Sequence, residues 1–237
     1  MVDKTFLWIE DRAGKASFVF WKTMMRQLYP DVIVESKKNS SELVKAVKAL
    51  TDQENYYIIV FDNSFDNVQA CKERKILKDS AVGRGNLHLL DLICFEYTLL
   101  EFDKLISWIY ATDDEFLQKR SSVIYAREKL VESISLGDMN YKALREVMDY
   151  NKNVNDHNIE QLSARLLFDL TRNTGFEVSK GRIGECWIKS CCEWQARENN
   201  DLCGLDDMRL CIADKMKSIY DGTSLHIEFM EAGLEVS

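Results

Sequence analysis

Three acidic residues each close an apolar run in the first hundred residues of the chain. Glu10 ends "TFLWIE", Asp62 ends "YYIIVFD" and Glu96 ends "NLHLLDLICFE". Carboxylate oxygens suit a hard cation, and Mg²⁺ in proteins is usually held by one or two carboxylates together with substrate phosphate. Such an ion activates water and stabilises charge on a leaving oxygen. The three carboxylates therefore predict a Mg²⁺ or Mn²⁺ site, if the fold brings them together.

The apolar runs are typical of β-strands. Four are predicted, over residues 5–10, 31–36, 56–62 and 86–96. Apolar residues recur at helical spacing between the first two, from Phe18 to Leu28, and between the next two, from Leu43 to Leu50. Alternating strands and helices with right-handed crossovers predict a Rossmann-like parallel sheet of about four strands. Its carboxyl edge, where such sheets bind ligands, would hold the three acids.

From about residue 97 the pattern becomes helical. Separate apolar stripes begin at Leu99, Ile124 and Ile159, and no Gly/Ser linker divides the chain. We therefore predict an α/β domain over residues 1–110 and a helical region over residues 111–237, packed on that domain or beside it.

Composition narrows the function classes. The chain has 237 residues, 46% of them hydrophobic, and a net charge of -8, which argues against a broadly basic surface that coats nucleic acid. A local basic groove stays open. Seven cysteines, an odd number, fit a reducing compartment. No apolar run approaches the roughly 20 residues of a membrane span. A cytoplasmic protein without membrane association is expected.

Five of the cysteines lie between residues 186 and 211. Their spacing lacks the two-residue interval of zinc knuckles and favours a helix that presents Cys to the core or to a partner, so zinc is not expected. The three histidines form no ligand or triad motif, and no Gly-rich loop indicates that this chain binds ATP.

"FLWIED", "IIVFDNSFD" and "LICFEYTLLEFDKLISW" together resemble the TOPRIM fold over roughly the first 110 residues. The likeness is to TOPRIM-like nucleases paired with an ABC-type ATPase in bacterial anti-phage systems, of the PARIS effector type. It implies a Mg²⁺-dependent nuclease that cleaves DNA or RNA and acts as a toxic effector under the control of its partner ATPase. The resemblance is also compatible with a homodimer.

The resemblance also implies roles for single residues. Glu10 would be a metal ligand or general base and Asp62 a metal ligand, and these two form the predicted catalytic pair. Ser64 stands where the second Asp of the family's D-x-D motif would be, which removes one negative charge. Asp66 matches a trailing Asp of the variant motif, and Glu96 matches a glutamate before an apolar helix. Both are predicted to complete the metal site.

Substrate phosphate would need positive charge near the acids. Arg12 and Lys15 follow Glu10 at a predicted helix start, where backbone N–H groups favour anions. Lys72, in the mixed-charge segment 71–85, is the next candidate, although such a segment is more often a solvated helix face.

Two other interpretations stay open. Acidic residues after strands also cap helices, which needs no ligand. Glu10, Asp11 and Asp62 are also similar to the acidic residues of a response-regulator receiver domain, although Glu96 stands where a receiver has Ser or Thr. The alternative function is therefore a catalytically silent TOPRIM-like or receiver-like module that binds another protein.

Overall fold

The computed structural model describes residues 4–110, 114–137, 144, 157–179, 181–192, 203–206 and 208–234. The main sheet has four parallel strands: β1 (Thr5–Ile9), β2 (Val32–Ser36), β3 (Tyr56–Val60) and β4 (Leu87–Leu89). Their order is β2-β1-β3-β4, so the direction of strand addition reverses between β1 and β3. The predicted α/β class with a four-stranded parallel sheet is confirmed.

Helices cover both faces of this sheet. The connecting helices are α1 (Ala16–Leu28), α2 (Ser40–Ala49) and α3 (Val68–Ala81). Side chains of α2 and α3 share one core with Trp8 and Ile59, whereas those of α1 share the opposite core with Leu7 and Ile58. Successive strand residues point to opposite faces, so both faces of β1 and β3 must be apolar. This double burial explains their unbroken hydrophobic runs.

From residue 95 onward the described part of the chain is mainly helical, close to the predicted change at about residue 97. Its described helices are α4 (Phe95–Glu101), α5 (Leu105–Tyr110), α6 (Asp114–Ser135), α7 (Ile159–Thr171), α8 (Glu185–Ile188), α9 (Ile212–Asp221) and α10 (Leu225–Glu231). A short antiparallel hairpin joins β5 (Val178–Ser179) to β6 (Arg182–Ile183). Trp108, Trp187 and Phe229 extend the core on the α1 side of the sheet. No helix in the described ranges has the length and apolarity to cross a membrane.

The fourth strand is much shorter than the predicted 86–96. It pairs with β3 only over Leu87–Leu89. Leu90, Leu92 and Cys94 are apolar because they are buried in the core, not because they belong to a strand. The Cys94 Sγ accepts the backbone N–H of Tyr97 at 3.4 Å and so caps α4. The prediction that Glu96 ends a strand is therefore wrong.

The cysteine-rich segment is also less helical than its spacing indicates. Among its described residues only Glu185–Ile188 forms a helix, and Cys191 instead donates its backbone N–H to the carbonyl of Leu210 at 2.9 Å. The buried Lys215 ammonium donates to the carbonyls of Cys186 and Lys189 at 2.9 and 3.0 Å. This cation holds the end of α8 against α9.

Candidate functional site

A cavity of about 410 Å³ lies at the carboxyl edge of the sheet, beside the ends of β1 and β3. This is the point where strand order reverses, which is the usual ligand position in open α/β sheets. Among the described residues, six carboxylates and two lysines line the cavity: Glu10, Asp11, Asp62, Glu73, Glu96, Glu160, Lys15 and Lys38. The lining is therefore strongly negative.

Glu10 and Asp62 meet because of the parallel register of β1 and β3. Ile9 lies opposite Val60, so both strands end at the same level. The backbone N–H of Asp62 donates to Glu10 Oε1 at 3.2 Å. Burial raises the pKa of Glu10 to about 8, the hydrogen bond opposes this rise, and nearby carboxylates add to it. The Glu10 side chain is half-buried and still lines the cavity.

The Asp62 carboxylate is half-buried and lines the same cavity. Burial raises its pKa well above the usual range, and the negative charges of Glu10 and Glu96 reinforce the effect. In the part of the chain that the structure describes, its side chain accepts no hydrogen bond and forms no ion pair. A buried carboxylate without a donor is unfavourable unless a cation or a proton neutralises it.

Glu96 reaches the cavity from the first turn of α4. The backbone N–H of Asn63 donates to the carbonyl of Leu92 at 3.0 Å, which holds the segment before α4 beside the end of β3. Burial raises the pKa of Glu96 to about 7, and hydrogen bonds from its own backbone and from Cys94 partly oppose the rise. The structure thus brings together Glu10, Asp62 and Glu96, although a helix and not a strand positions the third.

This donor set fits Mg²⁺ in its usual binding mode. No three His, Cys, Asp or Glu side chains of the described ranges form a ready-made metal cage. Mg²⁺ seldom uses such a cage, because it keeps several waters and binds directly to one or two carboxylates and to substrate phosphate. Glu10 and Asp62 meet this requirement, because the Asp62 carboxylate accepts no hydrogen bond from the described residues.

Ser64 connects the cavity to the helical region. It is 1% exposed, and its Oγ donates to Glu160 Oε2 at 3.2 Å. Glu160 lies in the first turn of α7, 96 residues further along the chain. Sequence reasoning missed Glu160, because the capping pattern at Asn158 and Gln161 signals a helix start and not its position in the fold.

Asp66 does not join the other predicted ligands. It lies outside the cavity lining, and its two carboxylate oxygens accept the backbone N–H of Ile159 at 3.2 and 3.0 Å. This N–H is one of the unsatisfied donors at the start of α7, where negative charge is favourable. Asp66 therefore fixes the beginning of α7 against the loop that follows β3.

We expect Asp66→Asn to leave Mn²⁺ affinity within about twofold of the original protein, because its carboxylate faces a helix start and not the cavity. Asparagine keeps an oxygen acceptor, so the loss of unfolding free energy should stay near 0.5–1 kcal/mol. Asp62→Asn should instead weaken Mn²⁺ binding by about tenfold or more. Isothermal titration compares the two. A tenfold loss in Asp66→Asn would return Asp66 to the ligand set.

The predicted phosphate contacts separate into two groups. Lys15 lines the cavity directly before α1, whose first turn also lines it and has no side-chain cap. Arg12 and Lys72 are exposed and lie outside the lining. Lys38, which sequence reasoning did not single out, lines the cavity and has φ 76°. A left-handed backbone in a residue other than glycine is strained, and such strain occurs preferentially at functional sites.

Comparison with known proteins adds no relative to these observations. No protein-family model, no curated protein and no solved structure matches the chain.

Proposed function

We propose that this chain is a Mg²⁺-dependent nuclease of TOPRIM type that hydrolyses phosphodiester bonds in nucleic acid. The observation that supports it most is the group of half-buried carboxylates Glu10, Asp62 and Glu96 at the reversal point of the sheet. The charges of Glu10 and Glu96 raise the pKa of Asp62, and among the described residues only two lysines line the cavity with these acids. A divalent cation would relieve this repulsion.

In this proposal Glu10 and Asp62 would hold the ion, and Glu96 would support the site from the same cavity. Bound Mg²⁺ would supply a Lewis acid for the phosphoryl oxygen and a more acidic water. The alternative role for Glu10 is that of the general base that accepts a proton from the attacking water.

Substrate phosphate would bind at the positively charged part of the cavity lining. Lys15, Lys38 and the first turn of α1 place positive charge and backbone donors there. Contacts of this kind attract the phosphate backbone of either DNA or RNA without reading its sequence. Exposed Arg12, in the loop before α1, would extend the contact along the strand.

The proposed biological role is that of a toxic effector in anti-phage defence, controlled by an ABC-type ATPase. This part of the proposal rests on the resemblance of the three acidic motifs and on the absence of a Gly-rich nucleotide loop from the sequence. A nuclease that attacks host nucleic acid must be restrained, and a partner protein is a direct means of restraint.

A second candidate function is a catalytically silent module that binds another protein. Ser64 supports it, because this position lacks the second acid of D-x-D. A phosphorylated receiver is a weaker version, because the described residues place no fifth strand beside β4.

Cleavage assays on the purified chain test the proposal. Labelled single- and double-stranded DNA and RNA are incubated with Mg²⁺, Mn²⁺ or EDTA, and Mn²⁺ binding is measured in parallel. We expect metal-dependent cleavage that Glu10→Gln removes and that Glu42→Gln, an exposed first-turn acid of α2, leaves unchanged. Absence of both cleavage and Mn²⁺ binding would favour the silent module, and labelling of Asp62 by acetyl phosphate would favour the receiver.

A further inference from the structure

Helix α7 brings a fourth carboxylate, Glu160, to the cavity from the helical region. Its Oε2 accepts a hydrogen bond from Ser64 Oγ at 3.2 Å, and its half-buried side chain lines the same cavity as Glu10 and Asp62. We infer that Glu160 supplies to the metal centre the carboxylate that Ser64 lacks. This inference rests on the proposed function, because it assigns one more residue to the same site.

The position of Ser64 explains how the exchange works. Ser64 is two residues after Asp62 and is buried, so its hydroxyl must find a partner inside the protein. It donates to Glu160, so the Glu160 carboxylate lies within hydrogen-bond distance of the side chain at position 64. The described residues give Glu160 no ion pair, and its second oxygen is left for another ligand.

The cavity lining places Glu160 with the other acids. Its side chain lines the same cavity as Glu10, Asp62 and Glu96. Glu160 therefore belongs to this group of carboxylates in space, although it is far from them in sequence.

A purely structural role for Glu160 explains less. An acid in the first turn of a helix is often there to interact favourably with the helix dipole. The start of α7 already has a capping box between Asn158 and Gln161 and a carboxylate, Asp66, on the N–H of Ile159. The start of α7 therefore needs no further acid. Placing Glu160 among other carboxylates adds charge repulsion, which is unfavourable unless a cation binds between these carboxylates.

Mn²⁺ binding without substrate tests the inference by a measurement independent of cleavage. Isothermal titration and the electron paramagnetic resonance of free Mn²⁺ would be applied to the original protein, Glu160→Gln, Glu160→Asp and the double variant Ser64→Asp/Glu160→Gln. We expect Glu160→Gln to weaken binding by about tenfold. The double variant should recover affinity to within about threefold of the original protein. Glu42→Gln, a first-turn acid outside the cavity, is the matched control.

The outcomes separate the inference from the proposed function. If the original protein binds Mn²⁺ and Glu10→Gln does not, while Glu160→Gln binds normally, the inference is overturned and the proposed function stands. If the original protein does not bind Mn²⁺, the proposed function fails first. Thermal melts show whether the double variant folds, and a folded double variant that still binds weakly overturns the exchange of roles. If the double variant does not fold, Glu160→Asp decides. A Mn²⁺ affinity above that of Glu160→Gln supports the inference, and an affinity equal to that of Glu160→Gln overturns it.

Discussion

Replacement of Asp62 by asparagine is expected to abolish metal-dependent cleavage and to raise the thermal stability of the metal-free protein at pH 8. The amide side chain would lack the charge that holds the cation, and losses of roughly 10³-fold in rate are typical for such a group. The same change removes a buried charge that faces Glu10 and Glu96. Activity and stability should therefore move in opposite directions.

Initial cleavage rates and melting temperatures measure the two effects. Each kcal/mol of stabilisation should appear as about 2–4 °C at this chain length. Asp79→Asn is the matched control, because Asp79 is exposed on α3 and lies outside the cavity; neither its rate nor its melting temperature should change. A less stable Asp62→Asn protein would show that Asp62 is a structural residue, contrary to the proposed role.

The stability of the metal-free protein should fall as pH rises from about 4.5 to about 8, and added Mg²⁺ should offset the fall. Burial raises the pKa of Glu10 to about 8 and that of Glu96 to about 7, whereas an unfolded glutamate titrates near 4.3. Between these limits the native state binds more protons than the unfolded state. Its unfolding free energy therefore decreases with pH. The cation competes with these protons, so its stabilising effect should grow over the same interval.

Thermal melts at several pH values, with Mg²⁺ or EDTA, check this expectation. Other groups titrate in the same interval, so the informative quantity is the difference between the original protein and Glu10→Gln. In EDTA this difference should favour Glu10→Gln increasingly towards pH 8. Equal pH dependence of the two proteins would mean that Glu10 titrates normally and that the carboxylates do not repel one another as the geometry indicates.

The sheet could be predicted because its inner strands have a strong local signal. β1 and β3 are covered on both faces, so Leu7 and Trp8 or Ile58 and Ile59 are all apolar. The same signal misled the prediction after Leu89. Burial under the helical region makes the following residues apolar without any strand pairing. An apolar run indicates that a segment is buried. Whether the segment is a strand or a buried loop depends on whether it lies beside another strand or beneath helices.

The candidate site could be predicted only where strands position its residues. Glu10 and Asp62 follow strands directly, so strand topology alone brings them together. Asp66 and Glu160 could not be assigned, because their positions depend on where α7 packs. Asp66 accepts a hydrogen bond from the backbone at the start of that helix, and Glu160 lies in its first turn. No periodicity within residues 1–110 contains this information.

The docking of α7 makes the electrostatics of the cavity a property of both halves of the chain. Two short polar contacts, one at Ser64 and one at Asp66, join the loop after β3 to the first turn of this helix. A small displacement of α7 would withdraw one negative charge from the cavity while the sheet stayed intact. The affinity of the cavity for a cation would then depend on the position of this single helix.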